Sequence, residues 1–139
     1  MRYESFGITD VGKRRAHNED AFIIDQQTQL LAAADGIGGA AAGEVASAIY
    51  VESCRDVFTH DQDLAVDVRI RKAFYTANLT VLSHARQHPA TKGMGCTAEL
   101  LSFDNDQYFI GHVGDSRTYR IRQGEIQQLT RDHSYIQEQ

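Results

Sequence analysis

The sequence predicts an α+β fold, because segments typical of strands and segments typical of helices are grouped along the chain instead of alternating. Three short strand-like segments come first, two amphipathic stretches follow, and four strand-like segments with short connections come last. Of the 139 residues, 42% are hydrophobic, so the chain can form a core. This length suits one domain or part of a larger one.

The first strands are predicted at residues 3–9, 21–24 and 30–34. The first segment alternates loosely, whereas the other two are almost continuously apolar, which is typical of strands buried on both faces. A turn at residues 25–28 separates these two, so we expect them to form a hairpin. The polar segment 10–20 is predicted to be a loop.

Two helices are predicted, at residues 43–58 and at about 64–88. In the first, apolar residues recur at three- and four-residue spacings and form one stripe, comprising Ala46, Ile49, Tyr50, Cys54 and Val57. The second carries a similar stripe, and Pro89 suits its end.

Four strands are predicted in the last part of the chain, at residues 97–103, 107–113, 117–122 and 125–129. Their short connections favour antiparallel neighbours, so we expect one continuous meander. The polar segment that follows carries no sequence signal for the end of a domain, so the order of elements is incomplete for a whole fold.

Composition and charge disfavour several classes of protein. The formal net charge of −5 argues against a nucleic-acid-binding surface. No apolar run has the length of a membrane span and the N-terminus has no signal-peptide pattern, so we expect a cytoplasmic protein without membrane partners. Cys54 and Cys96 are far apart and in no Cys-x-x-Cys pattern, which favours two free thiols over a disulfide or a zinc site.

Acidic residues stand at strand ends or tight turns in three places: Glu19 with Asp20, Asp35, and Asp115. Each is flanked by small or apolar residues, and a carboxylate in such surroundings is partly desolvated and favours a cation. Oxygen ligands select hard ions such as Mg²⁺ or Mn²⁺. Taken singly, each acid is better explained as a turn or loop residue. Together they favour a shared metal site.

The glycine-rich segment 36–41 also fits the G-x-G-x-x-A fingerprint of dinucleotide-binding proteins, with Asp56 about 20 residues after Gly36. Two observations argue against this alternative. Asp35 would place a negative charge beside the pyrophosphate, and the elements that follow are helical and then a meander instead of a β-α-β repeat. We therefore favour the metal site.

Three basic residues, Lys13, Arg14 and Arg15, precede the first acidic pair. An arginine near a metal site is suited to hold a phosphate, because its planar fork matches two phosphate oxygens. A solvated basic loop is the better explanation for Lys13 and for one of the arginines.

Five short motifs follow one another between residues 10 and 134: Asp10-x-Gly12-x-x-Arg15-x-x-Asn18-Glu19-Asp20, Ala34-Asp35-Gly36-x-Gly38-Gly39, Gly95-Cys96-Thr97-Ala98, Gly114-Asp115-Ser116-Arg117 and Leu129-Thr130-x-Asp132-His133-Ser134. In this order they resemble the metal-dependent protein Ser/Thr phosphatases of the PPM, or type-2C, family in its bacterial form. The combination is highly specific, although each motif is short.

The resemblance implies part of a four-layer α-β-β-α sandwich with two antiparallel sheets, incomplete in this chain. It implies a centre of two Mg²⁺ or Mn²⁺ ions in the complete domain, with room for a third. The implied metal-binding residues are Glu19, Asp20, Asp35, Gly36 and Asp115. Among them, Asp35 would bridge two ions, Gly36 would offer its carbonyl oxygen, and Asp115 would serve the third ion.

The implied activity is hydrolysis of phosphoserine and phosphothreonine in proteins by a metal-activated water, in opposition to a Ser/Thr kinase. Asp35 and Arg15 are the implied catalytic residues, and Arg15 would hold the substrate phosphate. The chemistry needs no cysteine nucleophile.

The family's catalytic domain continues beyond residue 139 and contributes two further aspartates there. We therefore expect residues 1–139 to be the N-terminal portion of a single phosphatase domain. Alone, this portion is expected to bind metal weakly, to be inactive and to form dimers through exposed sheet edges. The alternative is a pseudophosphatase, which binds a phosphoprotein without hydrolysing it.

Overall fold

The computed structural model describes residues 3–37 and 42–133, and in these parts of the chain two α-helices pack on one face of an antiparallel sheet. The elements, in chain order, are β1 (Asp20–Asp25), β2 (Leu30–Ile37), α1 (Ala42–His60), α2 (Val66–Gln87), a 3₁₀ turn (Pro89–Thr91), β3 (Gly95–Cys96), β4 (Ala98–Asp104), β5 (Gln107–Val113), β6 (Tyr119–Arg122) and β7 (Glu125–Gln128). Neither helix is long and apolar enough to cross a membrane.

Two antiparallel sheets are formed by these strands, which confirms the predicted α+β class. In the larger sheet the order is β1-β2-β4-β5, and the short β3 pairs with the end of β2. The smaller sheet is the hairpin of β6 and β7. Both predicted helices and the β1–β2 hairpin are present, with β2 extending three residues further than expected, to Ile37.

The core lies between the helices and one face of the larger sheet. Along β2, Leu30, Ala32 and Ala34 are buried on this face, whereas the alternate residues point to the other side. Tyr50 and Phe58 of α1 are at most 2% exposed and fill the space above them. The small residues of β2 allow the helices to pack closely against the sheet. This packing fixes the position of the end of the strand.

The face without helices is less covered, so the expectation that β2 is buried on both faces is wrong. A groove of about 610 Å³ runs along this face. Phe22, Leu31 and Leu101 lie in its apolar part, and Asp20 and Asp35 lie at one end. The apolar run in β2 is explained by its helix-side residues and by the small size of its alanines. It does not indicate that a second layer covers the other face of the strand.

Residues 3–9 form no strand within the described chain, so that prediction is wrong. The segment crosses the helix-free face and contacts it by side chains: the ring of Tyr3 lies 4.9 Å from that of Phe103, and Gly7 packs under the ring of Phe22. Phe6 and Ile8 are more than 80% exposed. A strand needs a neighbouring strand for its ladder of hydrogen bonds, and a loose alternation of residue types does not indicate whether one is present.

The predicted continuous meander is also wrong at one connection. β4 pairs with β5 over its whole length, and β6 pairs with β7, but the two pairs belong to different sheets. The segment 114–118 between them holds Asp115 and turns the chain away from the larger sheet. A short connection alone therefore did not guarantee that β5 and β6 would pair.

Candidate metal centre

The β1–β2 ladder places Asp20 directly opposite Asp35. Residues that are opposite in an antiparallel pair have their side chains on the same face, and these two lie on the face without helices. Both are exposed at the end of the groove. Two carboxylates held side by side repel each other, so this pair favours a positive charge between them.

The pKa of the Asp35 carboxyl is raised above its usual range. Partial burial is the largest cause, and the charge of Asp20, a hydrogen bond with Asp20 and the charge of Asp115 act in the same direction. The positive charge of Arg15 opposes them. Three of the groups predicted for the site, Arg15, Asp20 and Asp115, are therefore close enough to Asp35 to act on its carboxyl.

The loop that carries Arg15 is closed by three hydrogen bonds that involve the side chains of Asp10 and Asn18. The carboxylate of Asp10 accepts the backbone N–H of Gly12 at 2.7 Å, which forms a tight turn. The amide of Asn18 donates to the hydroxyl of Thr9 at 2.8 Å, while its carbonyl accepts the N–H of Asp20 at 3.0 Å. These bonds fix the two ends of the loop and leave the exposed Arg15 near its middle.

Glu19 is directed away from its neighbour Asp20. Its carbonyl oxygen accepts hydrogen bonds from the N–H of Gly36 at 3.1 Å and from the hydroxyl of Ser47 at 2.6 Å. A Cβ on Gly43 would lie 3.0 Å from the carboxyl carbon of Glu19, so this side chain reaches the first turn of α1. A negative charge is favourable at that helix end.

Gly36 lies beside Glu19 at the same helix end. A Cβ on Gly43 would also lie 3.0 Å from the carbonyl oxygen of Gly36. The structure therefore arranges the predicted ligands in two groups at the end of β2. One group is the pair Asp20 and Asp35, with the charge of Asp115 near enough to act on Asp35, and the other comprises the Glu19 carboxyl and the Gly36 carbonyl.

Thr97 is a further residue of this site, and its role was not predicted although it lies in one of the motifs. It is 2% exposed and its hydroxyl accepts the backbone N–H of Asp35 at 2.8 Å. The same hydroxyl lies 2.7 Å from that of Ser116, the residue after Asp115. The signal in the sequence was that Thr97 belongs to the motif Gly95-Cys96-Thr97-Ala98 and that Ser116 directly follows Asp115.

The donor set at this strand end fits a hard divalent cation. Carboxylate and carbonyl oxygens are the ligands that Mg²⁺ and Mn²⁺ prefer. A cation would offset the neighbouring negative charges that, after partial burial, raise the pKa of Asp35. Within residues 3–37 and 42–133, however, no group of three or more His, Cys, Asp or Glu side chains is arranged to hold an ion by itself. Gly38, Gly39 and Ser134, which belong to the predicted motifs, lie outside the described residues.

Neither cysteine is suited to act as a nucleophile. Burial raises the pKa of Cys54 to about 12, and burial together with the charge of Asp35 raises that of Cys96 to about 11. At neutral pH almost no thiolate is present at such values. Both thiols are free, as predicted.

Comparison with known proteins assigns this fold, with its acids at a strand end, to one family. Residues 5–139 match the family described as protein phosphatase 2C, and the chain belongs to this family. The protein phosphatase PhpP of Streptococcus pneumoniae is 35% identical over 136 residues, which are 94% of this chain and 55% of that protein.

Two solved structures show the same fold. The serine/threonine phosphatase Stp1 from Staphylococcus aureus superposes with a TM-score of 0.84 at 33% identity, covering 94% of this chain and 54% of the other. The catalytic domain of PstP, solved in complex with two manganese ions, gives a TM-score of 0.82 at 34% identity and covers 91% and 54%. The chain spans about half the length of these solved relatives, and 25% of the full-length PstP of Mycobacterium tuberculosis.

Proposed function

We propose that the protein hydrolyses phosphoserine and phosphothreonine in proteins, using a water activated by bound Mg²⁺ or Mn²⁺. The observation that carries this proposal is the position of Asp20 directly opposite Asp35 at the end of a sheet, with the charges of Arg15 and Asp115 near enough to act on the Asp35 carboxyl. Membership in the protein phosphatase 2C family supports it, as does the relative solved with two manganese ions.

Each residue of the site has a distinct part in this proposal. Asp35 and Gly36 are consecutive in the chain, and each belongs to one of the two ligand groups described above. Together they are therefore suited to bind the two ions. Asp20 and Glu19 would complete the coordination of these ions, directly or through water, and Asp115 would serve a third, weaker ion. When bound, such ions supply chemistry by lowering the pKa of a coordinated water towards neutrality.

Arg15 is proposed to hold the substrate phosphate. Its guanidinium is exposed and lies near enough to Asp35 to oppose the rise in the pKa of that carboxyl. A planar guanidinium can donate two parallel hydrogen bonds to phosphate oxygens and offset the charge that develops there. The protein itself supplies orientation and electrostatic stabilisation in this scheme, and no covalent intermediate with a side chain is needed.

The biological setting follows from the same proposal. The substrate is a phosphoprotein, so the protein would oppose a Ser/Thr kinase, and we place it in the cytoplasm. We further propose that residues 1–139 act as the N-terminal portion of one catalytic domain, which alone binds metal weakly and turns over little substrate. The two ligand groups described above would then be completed by residues outside this chain.

The test uses the complete gene product with Mn²⁺ and a phosphothreonine peptide. Wild-type protein should release phosphate in an EDTA-sensitive reaction, and Asp35→Asn should reduce the rate to background. Arg15→Lys keeps the charge but loses the fork, and we expect kcat/KM to fall by roughly 100-fold. The matched controls, Asp63→Asn and Arg14→Lys, alter exposed loop residues and should retain activity.

Two results would overturn the proposal. One is hydrolysis by Asp35→Asn at the wild-type rate. The other is calorimetric binding of the phosphopeptide by wild-type protein without any turnover, which would identify a pseudophosphatase.

A further inference from the structure

Thr97 and Asp35 face each other across the ladder without forming a regular pair. The registers of β2 with β3 and with β4 are continuous, so Thr97 is the cross-strand partner of Asp35. The N–H of Thr97 donates to the carbonyl of Asp35 at 2.9 Å, as expected. The return bond differs, because the N–H of Asp35 donates to the Thr97 hydroxyl at 2.8 Å where a regular ladder would use a carbonyl.

The same hydroxyl continues to Ser116, whose Oγ lies 2.7 Å away. A threonine hydroxyl can accept one hydrogen bond while donating another, so both contacts can exist together. Thr97 is 2% exposed, and water therefore has little access to compete for its oxygen. The result is a continuous hydrogen-bonded path from the backbone of Asp35 to the side chain next to Asp115.

Gly114, on the other side of Asp115, also rests on Thr97. A Cβ on Gly114 would lie 2.8 Å from the Thr97 methyl carbon, and its φ of +105° is one that L side chains rarely adopt. Gly114 and Ser116, the sequence neighbours of Asp115, therefore both contact Thr97, which also holds the backbone of Asp35. Asp115 itself stays exposed.

We propose that Thr97 and Ser116 are positioning residues, which set the separation of the Asp35 and Asp115 carboxylates through the bridge between their hydroxyls. Neither residue needs to touch a ligand; each acts through the carboxylate beside it. For its effect on catalysis this inference rests on the proposed phosphatase function, but its effect on divalent-cation affinity does not depend on turnover. Groups that orient metal ligands in this way typically change affinity by about 10- to 100-fold when removed.

The experiment titrates the complete gene product with Mn²⁺ and follows free Mn²⁺ by electron paramagnetic resonance. Thr97→Val keeps the shape and removes the hydroxyl, and Ser116→Ala removes the other half of the bridge. We expect each to weaken Mn²⁺ binding by about tenfold or more. Thr97→Ser keeps the hydroxyl and should therefore keep most of the wild-type affinity for Mn²⁺. Thr80→Val on the exposed face of α2 is the matched control and should bind as wild type does.

A double-mutant comparison separates positioning from a merely structural effect. If Ser116 acts through Asp115, then Ser116→Ala should cost no further affinity in a protein that already carries Asp115→Asn. Two independent losses that add would overturn the inference. Unchanged Mn²⁺ affinity in Ser116→Ala and Thr97→Val would do the same.

Hydrogen exchange of the Asp35 amide provides a readout that needs neither metal nor substrate. This amide should exchange faster in Thr97→Val, because its acceptor is gone, while the amides of α2 should be unaffected. If Thr97→Val does not fold, Ser116→Ala in the loop carries the test alone. Wild-type protein that binds Mn²⁺ but releases no phosphate would contradict the proposed function and leave the positioning inference intact.

Discussion

Gly36 and Gly43 contact each other through their backbones, where the end of β2 meets the start of α1. A Cβ on Gly36 would overlap the carbonyl group of Gly43 and lie 2.6 Å from the carbonyl oxygen of Glu19. A Cβ on Gly43 would lie 2.8 Å from the carbonyl carbon of Gly36. Because the obstructing atoms belong to backbone, they cannot rotate away as a flexible side chain could.

Gly36→Ala should therefore destabilise the protein and separate Glu19 from the start of α1. Forced overpacking of this kind costs about 1–3 kcal/mol, and more where backbone must move. Urea denaturation followed by circular dichroism measures the change. Gly95→Ala is the control, because Gly95 lies in the neighbouring strand opposite Ile37 and no atom lies within 4 Å of its added Cβ. Equal stability of the two variants would contradict the contact.

Asp132 should contribute stability that is lost in acid. Hydrogen bonds from Arg117, at 2.6 Å and 2.8 Å, hold the pKa of this carboxyl below its usual range. A carboxyl whose pKa is lower in the folded state stabilises that state above its unfolded pKa, and the contribution disappears as pH falls through the folded value.

The urea midpoint of wild type should therefore fall more than that of Asp132→Asn between pH 6 and pH 3. Asp106→Asn, in the exposed turn between β4 and β5, should follow wild type instead. Parallel pH profiles for wild type and Asp132→Asn would show that the ion pair with Arg117 is not maintained in solution.

Both thiols should be almost inert in the folded protein. Their pKa values, about 12 for Cys54 and about 11 for Cys96, leave very little thiolate at pH 8. Labelling with a chromogenic disulfide reagent should be slow in buffer and should reach two thiols per chain once urea unfolds the protein. Rapid labelling of Cys96 without urea would show that the end of β2 opens readily.

The 139-residue chain by itself is expected to self-associate. Ile121 and Ile126, opposite each other in the β6–β7 hairpin, are 74% and 69% exposed, and the apolar groove of the larger sheet lies open. Large exposed apolar patches commonly mediate association. Light scattering coupled to size-exclusion chromatography should give a mass above that of one chain.

Replacing both isoleucines by threonine should shift that mass towards the monomer, since threonine keeps the strand propensity but reduces the apolar surface. Val68→Thr on α2 makes the same kind of change at an exposed residue in a different region and serves as the control. A monomeric wild-type chain at high concentration would contradict the expectation.

The sequence predicted those features that depend on local pattern. The stripe of Ala46, Tyr50 and Cys54 has the helical period, and each of these residues is buried in α1. The β1–β2 hairpin was evident from two apolar runs around a turn, and its register then brought Asp20 and Asp35 together. The acids were explained singly as turn or loop residues and only together as a metal site, and the family motifs then implied the role of each residue.

Features that depend on distant partners were not predictable from pattern. The role of Thr97 depends on a hydrogen bond to a residue 62 positions earlier, and nothing local in the sequence specifies it. The opposite directions of Glu19 and Asp20 follow from their place at the start of β1, which begins at Asp20, one residue earlier than predicted. Residues 3–9 have the composition of a strand but find no ladder partner in the described chain.

The pairing of β2 with β4 joins two strands that are separated in sequence by the whole pair of helices. Closing so long a loop is slow and gains little until the contacts at its ends form, whereas the α1–α2 contacts are local. During folding, the helices should therefore form before Asp35 meets Thr97. Cation-binding capacity should accordingly arise late and abruptly, so the rate at which a refolding chain captures Mn²⁺ would report the final closure of the sheet.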